Sequence, residues 1–398
     1  MSTQHRADSS VEIIEKLDQG IAELDPKLVA GDCLITGFPG FVARNLLRRL
    51  LLLQPEATFY LLVQRRLLSV ARRSVEELEH ENPTAQGRLK LLEGDITVDA
   101  LGLEEAEYED LTRRVRTIWH LAAIYDLAVP EQIAYQVNVG GTIGVLDFCQ
   151  ACDDLKRLNY ISTCYVSGYR QGTIYEDELD EGQGHQNHYE STKFWAEVEV
   201  RRRADEIPTV ILRPGIIVGD SRTGETDKYD GPYFIMKLIK RLPSWAPMIN
   251  VGKGDALVNL IPIDFASDAM SFIGLKAKSE GQTYQIADPN PMQARDVVAV
   301  ILSAMGRSPA VAALPAGFVD AALRREPIES IVGVPRQALA YFNHDARYDT
   351  QKTLSALEDT YIHCPHLSSY IQTLVDYFLN NPDKPFLDAR RARERAEA

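Results

Sequence analysis

The chain has 398 residues, 45 % of them hydrophobic and 25 % charged, and its formal net charge is −14. This composition predicts a globular protein with a sizeable core, and so acidic a chain is a poor candidate for general binding to nucleic acid. The sequence shows neither a secretory signal nor an apolar stretch long enough to span a bilayer, and its five scattered cysteines suit a reducing compartment, so we expect a cytoplasmic protein without a transmembrane segment.

Residues 1–30 are predicted to form an N-terminal extension, with apolar residues at helical spacing at Val11, Ile14, Leu17, Ile21 and Leu24. From 31 to 214, short β-rich runs lie at 33–36, 58–63, 88–94, 117–122, 158–162 and 209–213. Helical stretches between them include 41–53, 69–81, 131–152 and 190–204. Alternating strands and helices predict an α/β fold with a doubly wound parallel sheet, a Rossmann domain.

After Pro214 the sequence becomes richer in Gly, Pro and aromatic residues. We interpret 215–385 as a smaller C-terminal substrate-binding region, which leaves open whether it contributes strands to the main sheet. A closing helix is predicted around 367–379, and residues 386–398 form a charged tail that we expect to be frayed.

The first predicted strand runs into a glycine-containing turn before a helix. Such a turn lets the backbone approach a pyrophosphate, and the helix N-terminus adds free N–H groups, so we expect a dinucleotide site here. Ala43 occupies the position where a third glycine or alanine allows tight packing of the helix. The cofactor-binding residues predicted in this segment are Thr36, Gly37, Phe38, Pro39, Gly40, Phe41 and Val42.

The end of the second strand predicts NADPH rather than NADH. NAD sites usually place a carboxylate there, whereas this chain has Arg65 and Arg66, which suit a 2′-phosphate. The alternative is that both arginines are solvated. Asp95 and Ile96 close the third strand, and Asp95 either accepts a hydrogen bond from the adenine amino group or caps a turn.

A predicted catalytic group consists of Thr163, Tyr189 and Lys193. Tyr189 and Lys193 stand four residues apart, which places both on one face of a helix. An adjacent ammonium lowers the pKa of a phenol, so that Tyr189 could protonate a carbonyl oxygen as hydride arrives. Tyr233 and Lys237, like Tyr348 and Lys352, have the same spacing but do not follow a strand ending in Ser-Thr, and packing roles are favoured for them.

Six motifs follow one another along the chain: TGFPGFVA (36–43), HLAA (120–123), VNVGGT (137–142), ISTCYVSG (161–168), YESTK (189–193) and LRPGIIVG (212–219). This is the order seen in extended short-chain dehydrogenases/reductases. The chain resembles their branch of fatty acyl-CoA reductases and thioester reductase domains over roughly 31–275.

The resemblance implies roles for individual residues. Thr163 would orient the substrate carbonyl, Tyr189 would donate the proton with Lys193 as its partner, and Asn138 would be largely structural. Further residues expected to line the cofactor are Leu121, Ala122, Ala123, Pro214, Gly215, Ile216 and Ile217.

The leading functional hypothesis is NADPH-dependent reduction of an acyl thioester or carbonyl, with acyl-CoA or an acyl carrier protein as a candidate partner. Alternatives are an extended-family dehydrogenase or epimerase acting on a sugar nucleotide, sterol or 3-oxoacyl compound, and a non-catalytic NADP-binding sensor. A homodimer is left open. No metal site is expected at Cys149/Cys152 or at His363, Cys364 and His366, because further ligands are not visible. His185 and His188 are interpreted as exposed, and Tyr233 and Phe234 either line a substrate pocket or pack in the core.

Overall fold

The computed structural model describes residues 23–125, 129–243, 249–251, 254–310, 312–314, 345–382 and 384. The amphipathic pattern over residues 11–21 and the charged tail lie outside these residues. Among the described residues, no helix has the length and apolar character needed to cross a bilayer.

A seven-stranded parallel sheet forms the centre of the fold. Its strands are β1 (Asp32–Thr36), β2 (Phe59–Val63), β3 (Leu89–Glu93), β4 (Val115–His120), β5 (Arg157–Ile161), β7 (Thr209–Pro214) and β12 (Thr283–Ile286). Their order across the sheet is β12-β7-β5-β4-β1-β2-β3. The chain runs outward through β1, β2 and β3 and then returns to β4, so the order reverses between β1 and β4. Ligands of open α/β sheets bind at such a reversal, outside the carboxyl ends of the strands. The predicted doubly wound sheet is confirmed.

The inner strands are buried on both faces, which is why their sequences are apolar runs rather than alternating patterns. The helices along the chain are α1 (Pro26–Val29), α2 (Phe41–Leu53), α3 (Leu68–Glu81), α4 (Glu105–Arg114), α5 (Glu131–Tyr135), α6 (Gly141–Ala151), α7 (His188–Arg202), α8 (Pro232–Arg241), α9 (Ile263–Leu275), α10 (Ala294–Ala304), α11 (Gln351–Leu357) and α12 (Leu367–Asn380). Helices α2 and α9 cover one face of the sheet, whereas α6 and α7 cover the other.

The predicted helix over 131–152 is divided in the structure. It consists of α5, a π-helical turn at Gln136–Gly140, and α6. Asn138 lies within that turn and is buried. Single π turns often occur at functional sites, and hydropathy alone gives no signal for them.

The later part of the chain forms a further apolar cluster that includes α8, α10 and α12. Short strands here and at the sheet edge are β6 (Gly172–Ile174), β8 (Ile216–Val218), β9 (Ile249–Val251), β10 (Leu257–Val258), β11 (Leu260–Pro262), β13 (Met292–Gln293), β14 (Ala312–Leu314) and β15 (Ala346–Tyr348). Strand β12 returns to the main sheet beside β7, and β15 pairs with β6. The region after Pro214 is therefore interwoven with the sheet, and the division into 31–214 and 215–385 stays a prediction.

Candidate active site

The turn after β1 has the backbone that a pyrophosphate requires. Gly37 has φ +86°, and a Cβ atom there would lie 2.8 Å from the Ala122 nitrogen. A Cβ at Gly40 would lie 2.7 Å from the Gly37 carbonyl oxygen. Both positions thus need glycine, and α2 begins directly after Gly40 with its free N–H groups. Ala43 is buried in the core, as its predicted packing role requires.

One cavity of about 510 Å³ extends from this turn along the carboxyl ends of the strands. It is lined by Thr163, Tyr189, Lys193 and all but one of the predicted cofactor residues, namely Thr36, Gly37, Phe38, Pro39, Gly40, Phe41, Val42, Arg66, Asp95, Ile96, Leu121, Ala122, Ala123, Pro214, Gly215, Ile216 and Ile217. Arg65 is the exception. Its side chain is 89 % exposed and lies 3.6 Å from Glu93, so the structure places it among the solvated residues.

Arg66 forms part of a short polar chain at the end of β2. Its Nε donates to the Gln64 side-chain oxygen at 3.0 Å, and the Gln64 amide donates to Asp95 at 2.8 Å. The other Asp95 carboxylate oxygen accepts from the nitrogen and the hydroxyl of Thr97. Asp95 therefore caps its turn and also lines the cavity, and no carboxylate occupies the position directly after β2.

His120 fixes the end of β4 against the end of β1. The Thr36 hydroxyl oxygen accepts from the Leu121 and Ala122 nitrogens, so its proton is left to donate to His120 Nδ1 at 2.7 Å. Thr142 donates to the Asn138 carbonyl and can therefore accept from His120 Nε2 at 3.0 Å. Burial lowers the pKa of His120 to about 3, which keeps this ring neutral and the network intact at ordinary pH.

Asn138 connects the π-helical turn to α7. Its oxygen accepts from the Ile124 nitrogen at 2.8 Å, and its amide donates to the Thr192 hydroxyl at 2.9 Å. Ile124 lines the cavity. The contacts are those of a residue that holds the cavity wall in place.

Thr163 and Tyr189 meet at the centre of the cavity wall. Thr163 follows β5, and its hydroxyl lines the same cavity as the Tyr189 phenol. Burial and the Glu190 charge raise the pKa of Tyr189, while the nearby Thr163 hydroxyl acts in the opposite direction. The predicted lowering of this pKa by Lys193 is therefore not seen in this structure. Tyr125, which the sequence analysis missed, packs edge-on against Tyr189 with ring centres 5.0 Å apart.

Lys193 lies below Tyr189 on the same face of α7 and is almost fully buried. Its Nζ donates to the Ile161 carbonyl oxygen at 2.7 Å and lies 4.3 Å from the centre of the Tyr160 ring. Burial lowers the pKa of Lys193 to about 7, and the negative charge of Glu197 opposes that shift. The charge of this amine therefore depends on pH far below the usual range of a lysine.

The loop before α8 supplies cavity residues that the sequence analysis did not assign. Thr226, Lys228 and Asp230 line the cavity, and Lys228 Nζ lies 5.5 Å from the centre of the Tyr125 ring. Burial raises the pKa of Asp230 to about 6. No motif marked these residues, since they reach the site only through tertiary packing. Phe234 also lines the cavity, whereas Tyr233 is buried and accepts from the Gly219 nitrogen at 3.1 Å.

The motifs to which the sequence analysis gave no catalytic role lie in the core or at the surface. Tyr348 contacts the Ser167 hydroxyl in the core, and Lys352 bonds to Asp177 and Gln282. Within the described parts of the chain, no group of His, Cys, Asp and Glu side chains has the arrangement of a metal site. His188 is exposed, but His185 is half-buried against Phe194 with ring centres 4.9 Å apart, so its interpretation as an exposed residue is wrong.

Comparisons with known proteins agree with this geometry. The family described as "Male sterility protein" matches residues 35–270, more than half of the chain. One of the proteins that form the linear gramicidin synthase of Brevibacillus parabrevis is 28 % identical over 73 % of this chain, which spans 6 % of that protein. Fatty acyl-CoA reductase wat from Drosophila melanogaster is 24 % identical over 59 % of this chain, which spans 52 % of that reductase.

A solved structure gives a fuller match. The terminal R domain from the myxalamid PKS-NRPS biosynthetic pathway has 25 % identity and a TM-score of 0.74, and the match covers 94 % of this chain and 100 % of that domain. The chain therefore belongs to the Male sterility protein family, within the extended short-chain dehydrogenases/reductases and their branch of fatty acyl-CoA reductases and thioester reductases.

Proposed function

We propose that this protein is an NADPH-dependent reductase of an acyl thioester or carbonyl on a lipid-like acyl chain, with Thr163, Tyr189 and Lys193 as its catalytic residues. The observation that carries this proposal is their convergence on the cavity whose other end is the glycine turn. The hydroxyl of Thr163 and the phenol of Tyr189 both line this cavity, so a carbonyl oxygen placed between them would meet two donors.

The residues of the glycine turn and of the neighbouring strand ends would hold a nicotinamide cofactor, which would supply a hydride to the carbonyl carbon. Tyr189 gives its proton to the carbonyl oxygen, and Thr163 holds that oxygen by a hydrogen bond. Lys193 in its ammonium form stabilises the phenolate that remains. With a thioester, the protonated adduct then loses its thiol and gives an aldehyde; further reduction to an alcohol is a second round of the same steps.

The proposed preference for NADPH is supported by the end of β2. Arg66 lines the cavity there, and Gln64 holds its Nε. A planar guanidinium suits a 2′-phosphate, whereas a carboxylate at this position would suit a free 2′-hydroxyl. Asp95, the nearby carboxylate, is already bonded to Gln64 and Thr97.

The proposed substrate class is supported by the names of the relatives, which include a fatty acyl-CoA reductase and a component of linear gramicidin synthase. Both names are compatible with an acyl thioester, delivered either by CoA or by a carrier protein. We propose acyl-CoA as the first substrate to test, because it is a free molecule and needs no partner chain.

The test is oxidation of NADPH and of NADH at matched concentrations by the purified protein, with acyl-CoA thioesters of graded chain length. We expect thioester-dependent oxidation of NADPH and abolition of turnover in Tyr189→Phe, which should still bind NADPH. The proposal is contradicted if neither NADPH nor NADH is oxidised with any of the thioesters. Oxidation of a secondary alcohol with NADP instead would indicate the alternative dehydrogenase function, and unchanged turnover in Tyr189→Phe would contradict the assigned role of Tyr189.

A further inference from the structure

Glu197 is a fully buried carboxylate on α7, on the side of the proposed catalytic residues that faces the protein interior. It stands one helical turn after Lys193 on α7, and its exposed fraction is 0 %. One carboxylate oxygen accepts from the Ser162 hydroxyl at 2.6 Å and from Arg213 Nε at 3.0 Å. The other accepts from Arg213 Nη2 at 2.6 Å and from Arg201 Nε at 3.1 Å. Such complete pairing is what makes a buried charge tolerable.

Arg213 is equally enclosed, with an exposed fraction of 1 %. Besides its two bonds to Glu197, it donates to the carbonyl oxygens of Glu178 at 2.8 Å and Glu176 at 3.4 Å. The planar guanidinium therefore joins β7 both to α7 and to the segment 176–178.

Two partners of Glu197 precede proposed site residues in the chain. Ser162 precedes Thr163, and Arg213 precedes Pro214, whose carbonyl oxygen accepts from the Thr163 hydroxyl at 3.5 Å. The same carboxylate thus joins the ends of β5 and β7 to the helix that carries Tyr189 and Lys193. A displacement of Glu197 would change the position of Thr163 relative to the Tyr189 phenol.

Among the described residues, Glu197 is the carboxylate whose negative charge acts on Lys193. From β4 it faces His120, which burial keeps neutral, and from β5 it faces the Tyr160 ring. On α7 itself it faces Tyr189 and Glu197, and Glu197 is the charge that favours its protonated form. Behind Glu197, the buried groups are Cys164, Arg213 and Glu176.

We propose that Glu197 is a positioning residue that holds Thr163 opposite Tyr189 and keeps Lys193 in its ammonium form. Its role in turnover rests on the proposed function, whereas its effect on Lys193 is a property of the folded protein. A carboxylate that served stability alone would change the melting temperature without changing the pH dependence of the site.

The test compares Glu197→Gln with Glu199→Gln. Glu199 is on the same helix but binds Arg202 at the partly exposed surface, so its replacement removes the same charge from a different place. Loss of the Glu197 charge disfavours the ammonium of Lys193, so the alkaline limb of kcat/KM should move to lower pH by about one unit or more. Glu199→Gln should leave the limb in place, and an unchanged limb in Glu197→Gln overturns the proposal.

Two further variants separate this effect from a general loss of folding. Glu197→Gln combined with Arg213→Gln leaves neither buried charge alone, and its limb should still move to lower pH because the counterion of Lys193 is gone. Glu197→Asp keeps the charge but shortens the side chain, so its limb should stay at the wild-type pH while kcat falls. A shifted limb in Glu197→Asp, or an unshifted one in the double variant, contradicts the proposal.

A second readout keeps this test independent of the substrate. The affinity for NADPH is measured by fluorescence as a function of pH in the same variants, and Lys193→Met identifies the part of the profile that belongs to Lys193. If no thioester is reduced by the wild-type protein, the proposed function fails. The Lys193-dependent step in NADPH affinity still decides the proposal: it should move to lower pH in Glu197→Gln, and an unmoved step overturns it.

Discussion

Two parts of the cavity lining can be compared. The first, here called the wall, consists of the glycine turn, the strand ends around Thr163, and the start of α7 with Tyr189 and Lys193, together with the buried side chains that hold them. The second is the loop at 226–231. In the wall, the polar side chains are buried and bonded: Glu197 is 0 % exposed and Asn138 is 1 % exposed. In the loop, Lys228 and Asp230 are half-buried, and the described contact of the Lys228 ammonium is with an aromatic ring.

This difference separates two tasks of the site. The wall is built from strand ends and a helix packed on the sheet, so its groups are held in fixed positions. The loop can present different groups to a substrate without disturbing that scaffold, which is the usual arrangement when a rigid framework carries binding loops. We therefore expect substitutions in the wall to affect chemistry and substitutions in the loop to affect substrate recognition.

Replacing Lys193 by Met should produce the largest effect. It removes the cation that, in the proposed mechanism, would stabilise the Tyr189 phenolate, but it keeps the length and burial of the side chain. We expect kcat to fall by about 100- to 10,000-fold, with no fall in melting temperature, because a buried ammonium is itself unfavourable. Steady-state kinetics and thermal unfolding measure the two quantities.

Lys352→Met is the matched control for this change. Lys352 has the same spacing from Tyr348 as Lys193 has from Tyr189, but it bonds to Asp177 and Gln282 away from the cavity. Turnover should stay within about twofold of wild type, well inside a kcal/mol of activation free energy. Equal losses of turnover in the two variants would contradict the proposed catalytic role of Lys193.

Gly37→Ala should show that the wall does not tolerate even one methyl group. The residue has φ +86°, and its new Cβ would lie 2.8 Å from the Ala122 nitrogen. We expect a loss of about 1–3 kcal/mol in unfolding free energy and at least about tenfold weaker NADPH binding, because Ala122 itself lines the cavity. Chemical denaturation and fluorescence titration measure these changes.

Gly87→Ala separates backbone strain from the close contact. Gly87 has φ +77° but no heavy atom within 4 Å of the added Cβ. This variant should lose about 1 kcal/mol of unfolding free energy and bind NADPH as wild type does. Weakened binding in Gly87→Ala would mean that strain, and not the contact with Ala122, explains the effect at Gly37.

The sequence predicted most of the wall and little of the loop, for a physical reason. Thr163, Tyr189 and the glycine turn follow strands whose apolar runs are visible locally, and the carboxyl ends of parallel strands share one edge. Lys228 and Asp230 follow no such strand. The Arg213–Glu197 pair and the return of β12 beside β7 depend on contacts between distant segments, for which hydropathy and spacing give no signal.

Asp230→Asn tests the loop by its pH dependence. The pKa of Asp230 rises from 3.8 to about 6 on folding, so the folded protein binds the proton more tightly and wild-type stability falls as pH rises through this window. At pH 7 the Asn variant, which carries no charge to bury, should therefore unfold at a higher temperature than wild type. Below pH 3.8 the difference should disappear.

Melting temperatures of both proteins between about pH 3.5 and 7.5 check this expectation, and the comparison with wild type isolates Asp230 from Asp268, whose pKa burial also raises to about 6. A difference in melting temperature that stays constant across this pH range would show that burial does not raise the pKa of Asp230. We also expect KM for the acyl substrate to change more than kcat, because Asp230 belongs to the loop.

Asp227→Asn should have the smallest effect, because it loosens the loop without altering the wall. Asp227 accepts two bonds from Arg44 at 2.6 and 2.7 Å, and Arg44 lies on α2 directly after the glycine turn. Both side chains are partly exposed, so we expect a loss of about 1 kcal/mol that shrinks with added salt. Asp110→Asn, which breaks the surface pair with Arg114, is the control.

If the loop acts in substrate recognition, Asp227→Asn should raise KM about two- to threefold at constant kcat, which corresponds to less than about 1 kcal/mol of binding free energy. A fall in kcat at constant KM would instead show that Arg44 couples the loop to the wall.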